Sequence, residues 1–167
     1  MHFDMSGAQY SDNERLLNEL NFKLLPYEKI YGKGEGEISA GQRFACLIHR
    51  AYEQTGRQVV VLIDEYDYPM LEVINQPDKI EVFRNVMQDF YAPLKPLGDY
   101  LRFVFLTGIT KFSQMSIFSK LNNINNISMD DEYAAICGIT EYELHNQMDA
   151  GVGLLSQKYK VTKDEIY

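Results

Sequence analysis

The run Val59-Val60-Val61-Leu62-Ile63 constrains this chain more than any other segment. An unbroken β-branched and aliphatic stretch of this length reads as a strand covered on both faces, as in a parallel α/β sheet. It ends abruptly in Asp64-Glu65-Tyr66-Asp67. Helical periodicity flanks it on both sides. Upstream, Phe44, Leu47, Ile48 and Ala51 recur at helical spacing, and Gly56 stands where a helix commonly terminates. Downstream, Asp78 and Glu81 form a capping box, and Ile80, Phe83, Val86, Met87 and Phe90 line one helical face until Pro93 and Pro96 stop it.

The remaining segments follow the same alternation. Met1 to Met5 reads as a short strand, and Ser11 with Glu14 caps a helix of about ten residues carrying Leu16, Leu17 and Leu20. Leu101 to Leu106 reads as a second buried strand, ending in Thr107-Gly108-Ile109-Thr110-Lys111. A helix is expected around Ser113 to Leu121, followed by an Asn-rich stretch, and Tyr133 to Cys137 suggests a third buried strand. Thr140 with Glu143 caps another helix, and Thr162 with Glu165 opens a last one. Alternating helices and buried strands predict an α/β layered sheet rather than a bundle or a sandwich. Both ends read as cut, as in a fragment of a larger protein.

Composition narrows the function classes. The 167 residues carry 16 Lys+Arg against 24 Asp+Glu, a net charge of −8, which is the wrong sign for a chain whose main task is to neutralise nucleic-acid phosphates. No apolar run approaches the ~18 residues of a membrane span, and nothing resembles a secretory signal, so a cytoplasmic protein is expected. Cys46 and Cys137 are far apart and belong to no Cys-x-x-Cys pair, which predicts two buried thiols rather than a disulfide or zinc site. His2, His49 and His145 are isolated, and the aromatic residues read as core packing. The glycines of Gly32-Lys33-Gly34-Glu35-Gly36 and Gly41 invite comparison with a phosphate loop, but Gly36 to Gly41 continues Gln42-Arg43 and lacks both the phosphate lysine and the magnesium hydroxyl. This stretch is expected to be a surface loop.

Open α/β sheets bind ligands beyond the carboxyl ends of their strands, and that edge collects Asp64, Glu65, Asp67, Thr107 and Thr110. A buried strand ending in Asp-Glu suits an ATPase: the aspartate orients magnesium and its waters, and the glutamate positions and deprotonates the attacking water. Asp64 takes the first role and Glu65 the second. A hydroxyl on the adjacent strand, Thr107 or Thr110, is placed to sense the γ-phosphate, and Lys111 adds a charge. The plain alternative is that these are turn residues ending strands in solvent. A further alternative, a metal-dependent nuclease, would use Asp64, Glu65 and Asp67 together to hold two metals.

The segment Val59 to Met70, Val-Val-Val-Leu-Ile-Asp-Glu-Tyr-Asp-Tyr-Pro-Met, resembles the Walker B segment of the bacterial AAA-ATPase-like family, whose members often carry a PD-(D/E)XK nuclease-like region. His2 to Ser6 resembles the strand after that family's P-loop helix, and Phe103 to Ser113 its sensor strand. Ser116 to Ile124 and Cys137 to Leu144 are similar to its later blocks. The resemblance implies a three-layer P-loop NTPase-like, mostly parallel and incomplete sheet. It implies residues 1–150 as the AAA-ATPase-like core after Walker A, and 151–167 as the start of a helical extension. It implies ATP and Mg2+ as cofactors, with Asp64 at the metal, Glu65 catalytic, and Thr107, Thr110 and Lys111 toward the nucleotide. Without a P-loop, negligible turnover by this chain alone is expected, and an exposed sheet edge would favour homo-oligomers. The alternative from another class is a non-catalytic interaction domain of ATPase-like shape.

Overall fold

In the computed structural model, which describes residues 1–109 and 123–166, the Val59 run is the middle strand of a three-stranded parallel sheet. The order is β1 (His2–Asp4), β2 (Val59–Asp64), β3 (Leu101–Leu106). Between β1 and β2 come α1 (Asn13–Tyr31) and α2 (Ala40–Thr55); between β2 and β3 come α3 (Tyr68–Leu71) and α4 (Pro77–Tyr91). Two compact units divide the chain, Met1–Ile124 and Asn125–Tyr167, and the sheet belongs to the first.

Strands laid down in one direction and joined by right-handed crossovers receive all their helices on one face. Here the helices pack on one face. The Phe3 ring of β1 meets Tyr27 of α1 at 5.3 Å, Phe44 of α2 at 5.1 Å and Phe90 of α4 at 6.0 Å between centroids. Val59, Val61 and Ile63 join the same core, whereas Val60 is 40% exposed and Leu62 37%. The expectation of a strand covered on both faces is therefore corrected: burial along β2 alternates, because the crossovers supply cover on one side. Register extends the open face to β3, where Val60 stands opposite Phe103 and Leu62 opposite Phe105. Phe103 is 53% exposed, so Leu101–Leu106 is a strand, as expected, but a half-covered one.

The two edges of the sheet differ. β1 directs Met1 C=O and Met5 N–H toward β2, so His2 and Asp4 present their backbone groups outward. The Tyr27 hydroxyl accepts from His2 N–H at 2.6 Å and donates to His2 C=O at 2.7 Å, and Lys23 Nζ donates to Asp4 C=O. Side chains of α1 thus occupy the bonding positions of a fourth strand, which closes this edge. Among the described residues, no strand pairs with the outer edge of β3.

Helix boundaries follow their caps. α2 starts at the Ser39/Gln42 capping box and ends at Gly56, whose φ of 64° is left-handed. α1 is capped by Asp12, which accepts from Arg15 N–H, rather than by Ser11, and it runs 19 residues through Pro26 because Leu16, Leu20 and Leu24 keep it on the core. α4 starts at Pro77, so Asp78 lies inside its first turn and makes no capping box. Buried Arg43 ties α2 to α1 through two bonds to Glu28, at 2.7 and 2.6 Å, and two to Asn21, at its side-chain oxygen and its carbonyl. Cys46 is only partly buried and Cys137 is exposed, so the expectation of two buried thiols is corrected for both.

In the second unit, Thr140 and Glu143 form the expected capping box of α5 (Glu141–Gln147), and α6 (Asp149–Tyr159) follows. Tyr133 to Cys137 is not a strand: Asp131–Tyr133 is a single 3-10 turn, and the residues after it are exposed. Thr162 and Glu165 exchange the expected bonds around a turn. The helix expected around Ser113 to Leu121 lies outside the described residues. No described helix is long and apolar enough to cross a membrane.

Arg43→Ala leaves the Glu28 carboxylate buried without its cation, a change that typically costs about 3–5 kcal/mol. The expected result is a lower urea midpoint with an unchanged slope. A shift below about 1 kcal/mol would show that solvent reaches Glu28.

Candidate functional site

The carboxyl ends of the three parallel strands meet at one edge. Asp4 and Asp64 end β1 and β2 as register partners, both exposed. Thr107 follows β3 and donates its N–H to Ile63 C=O at 2.9 Å, which sets its side chain beside β2. Its hydroxyl donates to Asp64 Oδ1. Asp4 takes two bonds from Ser6, N–H at 2.8 Å and Oγ at 2.7 Å, and these hold its carboxyl below the usual range.

β2 stops because the backbone reverses hand at Glu65, whose φ is 53°. A non-glycine residue in this region costs roughly 1–2 kcal/mol, and such strain persists only where neighbouring bonds over-determine it. Those bonds are present. Tyr66 N–H donates to Thr107 C=O at 2.9 Å, Tyr68 N–H to Glu65 C=O at 2.9 Å, and the buried Tyr91 hydroxyl to Tyr66 C=O at 3.1 Å. The turn swings the chain directly from strand into α3 and leaves the Glu65 side chain at the edge. Glu65 Oε2 is buried and has no hydrogen-bond partner among the described residues. Desolvation first, then the charges of Asp67, Asp64 and Asp4, push the Glu65 carboxyl above the usual glutamate range.

Asp67 is completely buried, and its two oxygens accept from Ile109 N–H at 3.3 and 3.1 Å. Between them lies Gly108. A Cβ there would stand 2.5 Å from the Tyr66 ring and 2.6 Å from Asp67 Oδ1, so only glycine permits this approach.

The structure thus brings Asp64, Glu65 and Thr107 together. Thr110 and Lys111 lie outside the described residues. Sequence reasoning missed Asp4, whose position beside Asp64 comes from strand register, and it read Asp67 as a turn residue. The Gly108 close to Tyr66 and Asp67 had no sequence signal beyond being a glycine after a strand. Among the described residues, no three His, Cys, Asp or Glu side chains are grouped to hold a metal. The trio Asp64, Glu65 and Asp67 required by a two-metal nuclease is therefore not assembled; Asp67 is engaged with the Ile109 amide instead. Magnesium, which keeps several waters and takes one or two carboxylates, makes a smaller demand. Asp64, exposed and bonded by Thr107 at one oxygen, fits it.

Because the folded-state proton affinity of Glu65 is raised, the folded chain holds that proton more tightly than the unfolded one. Stability is then greatest below the ordinary glutamate range and falls as pH rises through the folded-state value. Glu65→Gln is expected to raise the melting temperature at neutral pH, with the gain disappearing at acid pH. Thermal melts across pH test this, and a gain independent of pH would contradict it.

Known proteins resemble the chain as follows. A family model described as Predicted AAA-ATPase matches residues 1–118. An uncharacterized protein in the vnfD 5′ region of Azotobacter chroococcum mcd 1 is 41% identical over 144 residues, which is 86% of this chain and 28% of that protein. The chain accordingly spans less than a third of that relative's length. No solved structure matches it.

Proposed function

We propose, since the chain belongs to the predicted AAA-ATPase family, that the carboxyl edge of its sheet binds a nucleoside triphosphate with magnesium. In this reading Asp64 is the magnesium-linked carboxylate, Glu65 orients water and takes its proton, and Thr107 senses the terminal phosphate. Thr110 and Lys111, next in the sequence, also serve the nucleotide.

One observation carries the reading: a glutamate oxygen without a donor, beside the hydroxyl-bonded Asp64, at the end of the central strand. A carboxylate with one oxygen buried and without a donor has its proton affinity raised, which suits a general base. The left-handed backbone at Glu65 supports the same role, because strain of this kind concentrates where a side chain must be aimed. Thr107 keeps one Asp64 oxygen bonded and leaves the other for a magnesium-bound water. Bound magnesium supplies neutralisation of the charge that develops on the phosphoryl oxygens.

The sequence contains no Gly-x-x-x-x-Gly-Lys-Ser/Thr segment. The backbone cradle that holds β- and γ-phosphates in ATPases must therefore come from another segment or another chain, and binding by this chain alone is weak, with negligible turnover. The outer edge of β3, with which no described strand pairs, and the exposed apolar residues Val60, Leu62 and Phe103 support self-association as one way of completing the sheet.

The test is a two-dimensional NMR titration of the chain with Mg·ATP. The amides of Asp64, Glu65 and Thr107 are expected to shift saturably, with Kd of about 1 mM or weaker. The shifts should vanish with EDTA and in Asp64→Ala. Resonances at this edge that stay still at saturating Mg·ATP would sink the reading and leave a non-catalytic interaction domain of ATPase-like shape.

A further inference from the structure

We infer that Asp67 is a positioning residue whose buried carboxylate fastens the Thr107–Ile109 loop to the end of β2, and so keeps the Thr107 hydroxyl on Asp64. The inference rests on the reading of this edge as a nucleotide site, and it adds to that site a residue that touches neither metal nor phosphate.

Asp67 stands at the N-cap of α3, where an aspartate ordinarily bonds the first free amides of its own helix. Its side chain makes no such bond. The carboxylate turns instead to a residue 42 positions away, accepting the Ile109 N–H with both oxygens. Its own backbone is held rigidly for that purpose, since Met70 and Leu71 N–H both donate to Asp67 C=O, at 2.9 and 3.1 Å. Complete removal of a carboxylate from water is unfavourable unless its bonds are good and needed. A cap that only started α3 would not require it.

The loop is gripped at two points. Tyr66 N–H donates to Thr107 C=O, tying the two segments together just past the ends of β2 and β3. Asp67 takes Ile109 N–H two residues on, and Gly108 lies pressed between, its Cα side against the Tyr66 ring and Asp67 Oδ1. Thr107 precedes this grip directly. With its carbonyl held by Tyr66 and the Ile109 amide two residues on held by Asp67, its hydroxyl has a fixed origin, and from there it reaches Asp64 Oδ1. Release of the Asp67 contact frees the loop and leaves the hydroxyl to wander off the carboxylate.

The experiment uses the whole chain with Asp67→Ala, Asp67→Asn, Gly108→Ala, Thr107→Val and the Asp67→Ala/Thr107→Val pair. Amide hydrogen exchange at Tyr66 and Ile109 is read against Leu47 and Ile48 of α2, and Mg·ATP affinity is read from the titration above. In Asp67→Ala and Gly108→Ala, Tyr66 and Ile109 should lose about tenfold or more of their protection relative to α2, the equivalent of one buried hydrogen bond. Asn retains a carbonyl that accepts Ile109 N–H, so Asp67→Asn should restore most of it. Affinity in Asp67→Ala should fall as far as in Thr107→Val, and the double variant no further, because both changes remove the same Thr107–Asp64 contact. Unchanged protection at Tyr66 and Ile109, equal loss in α2, or additive effects in the double variant would each overturn the inference. If the unaltered chain binds no Mg·ATP, the nucleotide reading fails, while the exchange data still decide whether Asp67 fastens the loop.

Discussion

β2 is bonded along both edges by parallel ladders, and the first unit is organised around that fact. A strand held on both sides sets the register of its neighbours, and with it the level at which their carboxyl ends stand. The crossovers between the parallel strands place α1, α2 and α4 on one face, where Phe3, Phe44 and Phe90 form an aromatic junction. The other face of the sheet receives nothing from these connections. Half-burial of β2 is therefore a consequence of the helices packing on one face, not of a weak hydrophobic pattern.

The same strand creates the site by the way it ends. A backbone that changes hand at Glu65 requires external bonds to hold it, and the bond from Tyr66 to Thr107, the Tyr91 hydroxyl and the start of α3 supply them. Stability is given up at two places close together, in the left-handed glutamate and in the wholly buried Asp67. Both lie where the chain needs fixed geometry. This agrees with the general tendency of functional edges to hold conformations that a merely structural turn would avoid.

Electrostatics bear on the proposed site. Asp4, Asp64 and Glu65 present negative charge where a triphosphate would arrive, in a chain of net charge −8. A polyanion is repelled from such a surface unless a divalent cation comes with it. Under the proposed reading, an edge of this kind would take a nucleotide as its metal complex rather than free.

The strand at Val59, the helices around Phe44 and Phe83 and the Gly56 stop were legible in the sequence because they depend on local periodicity and on residues with strong backbone preferences. Asp64 and Glu65 were legible for a similar reason, since acidic residues directly after an apolar strand can only lie at its end. The 19-residue length of α1, the exposure of Leu62 and Phe103, and the loss of a strand at Tyr133 were not, because each depends on which distant surface packs against the segment. The pairing of Asp4 with Asp64, the left-handed turn at Glu65 and the contact of Asp67 with Ile109 belong to the same category. Sequence by itself determined which residues end the strands. Only the tertiary structure decided which of those ends stand side by side, because parallel register brings together residues that are tens of positions apart along the chain.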